Sequence, residues 1–543
     1  MYQEAELQAL DAALAAGACL LVPNFPASRQ MQDSLVAWRL AQGGSRVQAS
    51  AQVLPVDFWL SDLWQQLAME QDDPRLARSV LSPEQETLLW RQVISSSSGD
   101  EGLLNPGGTA NEAREAWRLA QQWQFPDSFM QPLQRDAKDP DASDFFADWA
   151  WQFHALCETH EAMSFSRMLN SMLALCHTFP DWFRSRLPTR LLLWGFNDPP
   201  PLYRALLETF AKLGCDVQPL SLASHSPAAE KRPFQQASDE LRAAAQWAAA
   251  LAHENPKVQV GIICSNLQAL RPAAQRILAQ EFAALPAGTC LLAAQQPLAS
   301  TPFVHTALQL LKLFDRHCDT LELCSILRSP WLTASAEEAE ARAALEFKLR
   351  RFGESKTELT QFRELCSSTI IIKSSTNNEL SSAQLGKALL HISGLRLRQP
   401  QQQSFAKWLT LINACWDLLL DEQSLIQTAQ LAVLRGWQAL RASLQQLDWL
   451  LADCSLAQAV STIRAMAANQ SLPLDAPFAP VMLLSPVAAA GMRFTHLWCL
   501  QMDERHWPPD TRPVSFLPLA LQRQLGMPGS DPSLSLAAAS KLL

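Results

Sequence analysis

The sequence predicts an α/β protein with two parallel sheets, each split by a long helical excursion. Two observations carry this. Short apolar runs bounded by turn residues recur along the chain and each empties into a helix, the signature of βα units. Between these runs the apolar spacing lengthens to helical period for a hundred residues or more. A length of 543 residues, several times that of a typical domain, calls for more than one core.

Residues 5 to 16 read as a short helix and Ala18 to Val22 as a strand. Pro23-Asn24-Phe25-Pro26 then turn the chain into a helix beginning near Ser28, a favourable N-cap residue. A second apolar step, Val53-Leu54-Pro55, leads into a helix from Trp59 to Met69. From about Ser82 the pattern is helical. Trp90, Trp117, Trp123, Trp149, Trp151 and Phe153 sit mostly at helical spacing there and read as core. At Arg190 the period changes: RLLLWGF is a short buried strand, and NDPPPLYRALLETFAKLG gives a loop, a helix and a terminating glycine. Ser221 to Pro233 reads as a linker. ASDELRAAAQWAAAL then forms a helix, and Val258 to Cys264 a strand. Helices dominate again from about Pro302 to Ala467, broken by SSTIIIKSSTNNELSS, which reads as a loop with a short strand. Strands return at Val481 to Ser485 and at Phe494 to Leu500, the latter read as buried on both faces of a parallel sheet. The predicted segments are 1–80 and 188–225 for the first sheet domain, with a helical insert at 81–187. The second sheet domain takes 232–300 and 476–543, with an insert at 301–475.

Composition narrows the function classes. With 48% hydrophobic and 18% charged residues the chain can bury large cores. A net charge of −9 argues against a protein that coats nucleic acid through bulk charge, although a local basic groove is compatible with it. The 12 cysteines form no CxxC pair, and the nearest two, Cys318 and Cys324, have no zinc-like second pair. They read as buried thiols in a reducing cytoplasm. No stretch approaches the roughly 18 apolar residues of a membrane span.

The order of these elements resembles that of superfamily 1 helicases, in which two RecA-like lobes each carry a helical insertion. Local words agree with it: VGIICSNLQALRP with Arg271, LCSILRSPWL with Arg328, and above all SPVAAAGMRFTHLWCLQMDERHWP followed by FLPLALQRQLGMP. The last resembles the motif V region of AddB/RexB-type subunits of bacterial helicase-nucleases, and in particular of related proteobacterial DNA-repair proteins that end in a PD-(D/E)XK nuclease domain. The resemblance implies two superfamily 1 helicase-like lobes, the second truncated because the chain stops at SLAAASKLL before the last helicase motif and any nuclease domain. It implies single-stranded DNA and a helicase-nuclease subunit as partners.

The chemistry such a motor needs is not in the residues. A P-loop, GxxxxGK[ST], holds phosphates on backbone N–H groups with Lys and a hydroxyl serving phosphate and magnesium. The sole Gly-Lys, Gly386-Lys387, has Ser381 and Ala388 where the first glycine and the hydroxyl belong. In place of an Asp-Glu pair closing the Arg190 strand stand Asn197 and Asp198, the latter a vestigial metal residue or a turn former before prolines. The Lys-Gly-Leu-Glu-Phe word of motif V falls on Ala490, Gly491, Met492, Arg493 and Phe494, so that both of its charges are changed. No catalytic residue, metal or cofactor is therefore assigned. Magnesium and ATP enter only if a divergent nucleotide site exists, and a helical protein-interaction module is the remaining alternative. For DNA, the candidates are Arg493, His496, Arg505, Trp507 and Arg512 in or beside the loop after the last strand, with Arg29, Arg271 and Arg328 at analogous places. A second reading has Trp507 and the following prolines stapling the loop down, with Arg505 paired to Asp503 or Asp510.

Overall fold

The computed structural model describes residues 2–43, 50–97, 106–126, 129, 142–196, 198–220, 229–293, 296–352, 354–367, 370–372, 378–380, 383–397, 399–428, 430–451, 453–472, 479–507 and 512–542. The fold is mixed α/β and mostly helical, with two parallel four-stranded sheets of the kind found in Rossmann and RecA-like lobes. The chain divides into two compact units. One comprises Met1–Ala294 with Ala476–Leu543 and holds both sheets; the other is Gln295–Asp475.

The first sheet begins with helix α1 (Glu4–Ala15) and strand β1 (Ala18–Val22), whose five residues are all buried. Alternation divides β1 between two cores. Ala18, Leu20 and Val22 face α1 and α2 (Phe25–Ala41), while Cys19 and Leu21 face α3 (Val56–Glu70) and later helices. Helix α2 starts three residues earlier than the sequence suggests. Asn24, not Ser28, is its cap and accepts the Ala27 N–H at 2.9 Å, because Pro26 is already preset for the first helical turn. Ser28, one turn in, spends its hydroxyl on the Val53 carbonyl, 2.7 Å away. Strand β2 (Val53–Pro55) pairs with β1.

The first insert contains α4 (Pro83–Ser97), α5 (Pro106–Gln122), α6 (Ala142–Thr159), α7 (Phe165–Thr178) and α8 (Pro180–Arg186). Two short strands, β3 (Ser79–Val80) and β4 (Ala162–Met163), pair at its base. The tryptophans build its core as expected: Trp90 stacks on Phe153 at 4.3 Å and meets Trp117 edge-on at 6.1 Å. Trp151 departs from that expectation and stands half exposed, since the adjacent helical positions Trp149 and Phe153 already fill the inner face.

Glu86 is buried in this insert. Burial pushes its carboxyl up to about 7, against the opposing pull of Arg114, the Trp90 ring N–H and Arg118, with Glu115 adding to the rise. The folded chain thus holds this proton up to about 7, while the unfolded chain releases it near the ordinary glutamate value. Stability from this group is full at low pH and falls as pH rises through about 7. Chemical denaturation across that range is expected to show the decline, and Glu86→Gln to flatten it.

Strands β5 (Arg190–Leu193) and β6 (Asp216–Pro219), linked by α9 (Pro201–Lys212), complete a parallel sheet of order β2-β1-β5-β6. β6 escapes sequence reading because DVQP has a single aliphatic side chain, as suits an edge. Of the expected linker, residues 221–228 lie outside the described residues, and 229–236 are exposed and without regular structure.

The second sheet opens with α10 (Ala237–Glu254), β7 (Val260–Cys264), α11 (Leu267–Glu281) and β8 (Cys290–Leu292), the last too short to announce itself in the sequence. The chain then enters the second unit, a set of helices carrying three small antiparallel pairs: β9 (His317–Asp319) with β10 (Lys356–Glu358), β11 (Ile370–Ile372) with β12 (Asn378–Leu380), and β13 (Gln402–Gln403) with β14 (Cys454–Ser455). The polar stretch expected to hold one short strand therefore holds two, β11 and β12. Gly386-Lys387 lies inside the helix Ala383–Leu397, where no phosphate-binding loop exists.

The chain returns through β15 (Val481–Leu484) and β16 (His496–Leu500), giving the order β16-β7-β15-β8. β16 is not the doubly buried strand expected from its sequence. It begins at His496, pairs among the described residues with β7 alone, and exposes His496 and Leu497. Helices α10 and α11 cover one face of this sheet. The other face carries Ala488, Ala489, Met492 and Phe494 from the β15–β16 connection, and Met492 also packs in the first sheet's core.

All twelve cysteines are free thiols, nine of them buried, and burial pushes those such as Cys19 and Cys415 up to about 12. No helix among the described residues is long and apolar enough to cross a membrane.

Candidate functional site

In open parallel sheets ligands bind where neighbouring strands send their connections to opposite sides. In the order β2-β1-β5-β6 the chain leaves β1 outward to β2 and leaves β5 outward to β6, so the crevice lies between Pro23-Asn24 and Trp194-Gly195. The protein's own backbone fills it. The β15–β16 connection enters there, and a Cβ on Gly195 would stand 2.6 Å from the Gly491 Cα and 3.2 Å from Pro23 Cδ. Both glycines have positive φ, +81° and +77°, so a side chain at either position would be strained on conformational grounds as well.

Polar contacts fasten the segment. The Asn24 Nδ2 donates towards the carbonyls of Val487, Ala488 and Ala490 at 3.2 to 3.3 Å. Trp194 Nε1 donates to the Gly491 carbonyl at 2.7 Å. Gln30, almost fully buried, uses its side-chain amide as a peptide group: Nε2 donates to the Arg493 carbonyl at 2.5 Å and Oε1 accepts the Arg493 N–H at 2.8 Å. The Arg493 guanidinium pairs with Glu6 at 3.1 Å and lies over the rings of Tyr2 and Trp194, 5.1 and 5.3 Å from their centroids. Burial pushes the Tyr2 hydroxyl upward, so it is neutral in this cage.

The carboxyl end of the second sheet is open by comparison. β16 ends at Leu500, and Gln501 directly after it is held at φ +56° with its N–H directed at both Glu240 oxygens, each 3.2 Å away. Burial raises the Glu240 carboxyl, partly offset by that N–H. The loop then folds around Asp503, which accepts His506 Nδ1 at 2.8 Å and the Arg505 N–H at 2.9 Å. The His506 bond holds Asp503 below the usual carboxylate range. Ser265, just after β7, donates to the His506 carbonyl at 3.3 Å, joining the loops that follow β7 and β16.

The sequence-derived candidates separate on this geometry. Arg505 is exposed and Trp507 half-buried on the loop; Arg271 is half-buried in the first turns of α11, which follows β7. These three share one end of the second sheet. Asp503 takes the Arg505 backbone and the His506 ring, in place of the ion pair expected with the Arg505 guanidinium. Arg512 is exposed; Pro508, Pro509 and Asp510 lie outside the described residues. His496 sits at the opposite end of β16, about 13 Å away along the strand, bonded to Thr495 and edge-on to Trp247. Arg493 is enclosed in the crevice. Arg29 pairs with Asp33 on the exposed side of α2. Arg328 belongs to the second unit, where it bonds the Cys324 carbonyl and lies 3.7 Å from Glu346. Asp198 is a surface residue 3.8 Å from Arg204, and Asn197 lies outside the described residues. No group of three metal-ligating side chains occurs among the described residues.

Sequence reasoning missed Asn24, Gln30, Trp194 and Glu240. Asn24 carried a signal, a cap residue two before a proline. The other three act through partners more than two hundred residues distant and carried none. Comparison with models of known protein families and with curated proteins finds no match to this chain.

Proposed function

We propose that this chain is a helicase-like DNA-repair scaffold that binds single-stranded DNA without hydrolysing nucleotide. One observation carries the DNA reading: the Ser265–His506 bond joins the loops after β7 and β16, so that exposed Arg505 and half-buried Trp507 and Arg271 all belong to the same end of the second sheet. Arginines for phosphates and one aromatic ring for a base are the parts a single-strand track needs. The non-hydrolysing part is supported by the crevice of the first sheet, where Gly491 takes the space a nucleotide would need, and by the missing P-loop. The helicase-nuclease affiliation rests on the resemblance of the Gly491 to Pro528 stretch.

The test is binding of fluorescent single-stranded DNA at several salt concentrations, beside an Arg505→Ala, Trp507→Ala, Arg512→Ala variant. Binding is expected to weaken with salt. Each arginine that touches phosphate should contribute about 0.7 to the slope of log affinity against log salt, and the ring about 1–3 kcal/mol. A folded wild type that binds no DNA overturns the reading. Magnesium nucleotide is expected to leave the melting temperature unchanged.

A further inference from the structure

We infer that the outer edge of β16 is a self-association surface, on which a second copy of this chain adds its own β16 antiparallel. The two four-stranded sheets end in four edge strands, β2, β6, β16 and β8. Unpaired strand edges invite other strands, and proteins guard them with short length, proline, charge or a covering side chain. β2 has three residues, ends in Pro55, and has its Val53 carbonyl capped by Ser28 and Gln32. β6 carries Asp216, paired with Arg190, and ends in Pro219. β8 has only three residues. β16 is the longest of the four at five residues, and HLWCL contains neither proline nor a carboxylate, lysine or arginine. Its backbone pairs with β7 alone, and no described residue bonds to its other edge.

The side chains favour a copy of the same strand over an arbitrary one. Centred on Trp498, antiparallel pairing sets His496 against Leu500 and Leu497 against Cys499 of the second copy, with the two Trp498 residues on the axis. Residues 494–502 hold no carboxylate, lysine or arginine, so doubling them brings no like charges together. Leu497 is 54% exposed and so has apolar surface to lose. Trp498 is half-buried and already rests against Trp247 of α10 at 5.3 Å, which fixes its ring beside the edge. A single strand pair buries less than about 1,200 Å², the range of weak association, so the dimer should depend on concentration.

Sedimentation velocity on the full chain over a concentration series is expected to show a monomer–dimer equilibrium. Leu497→Lys, which places a charge on an already exposed position, should shift it to monomer without lowering the melting temperature. A second measurement reads the register. Leu497→Cys, oxidised with diamide, should give a disulfide-linked dimer through Cys499 of the second copy, and the added change Cys499→Ser should abolish it. Neighbours two apart on one strand have Cβ atoms too distant to bridge, so an internal disulfide does not compete. A wild type that stays monomeric throughout, a larger open-ended oligomer, or a Leu497→Lys dimer unchanged from wild type would each overturn the inference. DNA binding at the 501–507 loop is a separate readout.

Discussion

Gly195→Ala is expected to destabilise the sheet-bearing unit by about 2–5 kcal/mol. Two costs combine. The residue sits at φ +81°, where an L side chain is disfavoured by about 1–2 kcal/mol. The new Cβ also meets the Gly491 backbone at 2.6 Å, and overpacking a filled site costs about 1–3 kcal/mol. A flexible side chain could turn aside; a backbone Cα fixed by the Trp194 and Gln30 hydrogen bonds cannot. Gly43→Ala is the matched control. Gly43 has nearly the same φ, +82°, but no atom of the described residues within 4 Å of its Cβ position, so it should show the conformational cost alone. Denaturant midpoints of the two variants measure the difference, which is the steric part. Equal losses in both would mean that Gly491 does not occupy the crevice.

The same crevice explains what the sequence could and could not disclose. Elements made of contiguous apolar residues were legible: β1, β5, β7 and β15 announce themselves because burial on both faces removes polar residues from the whole run. β6 and β8 were not, because an edge strand can be polar and a three-residue strand has no period to read. β16 misled, since an apolar run normally marks a central strand, yet here it lies at an edge with Leu497 half exposed. The candidate DNA loop could be placed from its position after a strand. The packing of Gly491 against Gly195 could not, because a glycine in sequence does not say whether its turn is free or whether another backbone lies against it. Gln30 is a similar case: a glutamine on a helix reads as solvated until its amide is seen to pair with a peptide group 463 residues on.

Arg493→Met should cost about 3–5 kcal/mol, because the Glu6 carboxylate keeps the Gln3 N–H at 2.8 Å but loses the Arg493 cation in a site where both side chains are largely buried, 16% and 13% exposed. Part of the loss belongs to the rings: a desolvated guanidinium over Tyr2 and Trp194 gains about 2 kcal/mol that methionine does not recover. Arg493→Lys keeps the charge but loses the planar fork, so an intermediate loss is expected. Adding Glu6→Gln to Arg493→Met removes the remaining charge, and the double variant should be more stable than the sum of the singles by about 1–3 kcal/mol. Urea denaturation of the four proteins gives that coupling, and strict additivity would show that the pair is not formed. The cage also separates two roles that the sequence had joined. A guanidinium held by Glu6, Tyr2 and Trp194 is committed to fastening the β15–β16 connection in place. Arg493 variants should therefore alter DNA affinity only as far as they unfold the protein, whereas the Arg505, Trp507, Arg512 variant should alter it at unchanged stability.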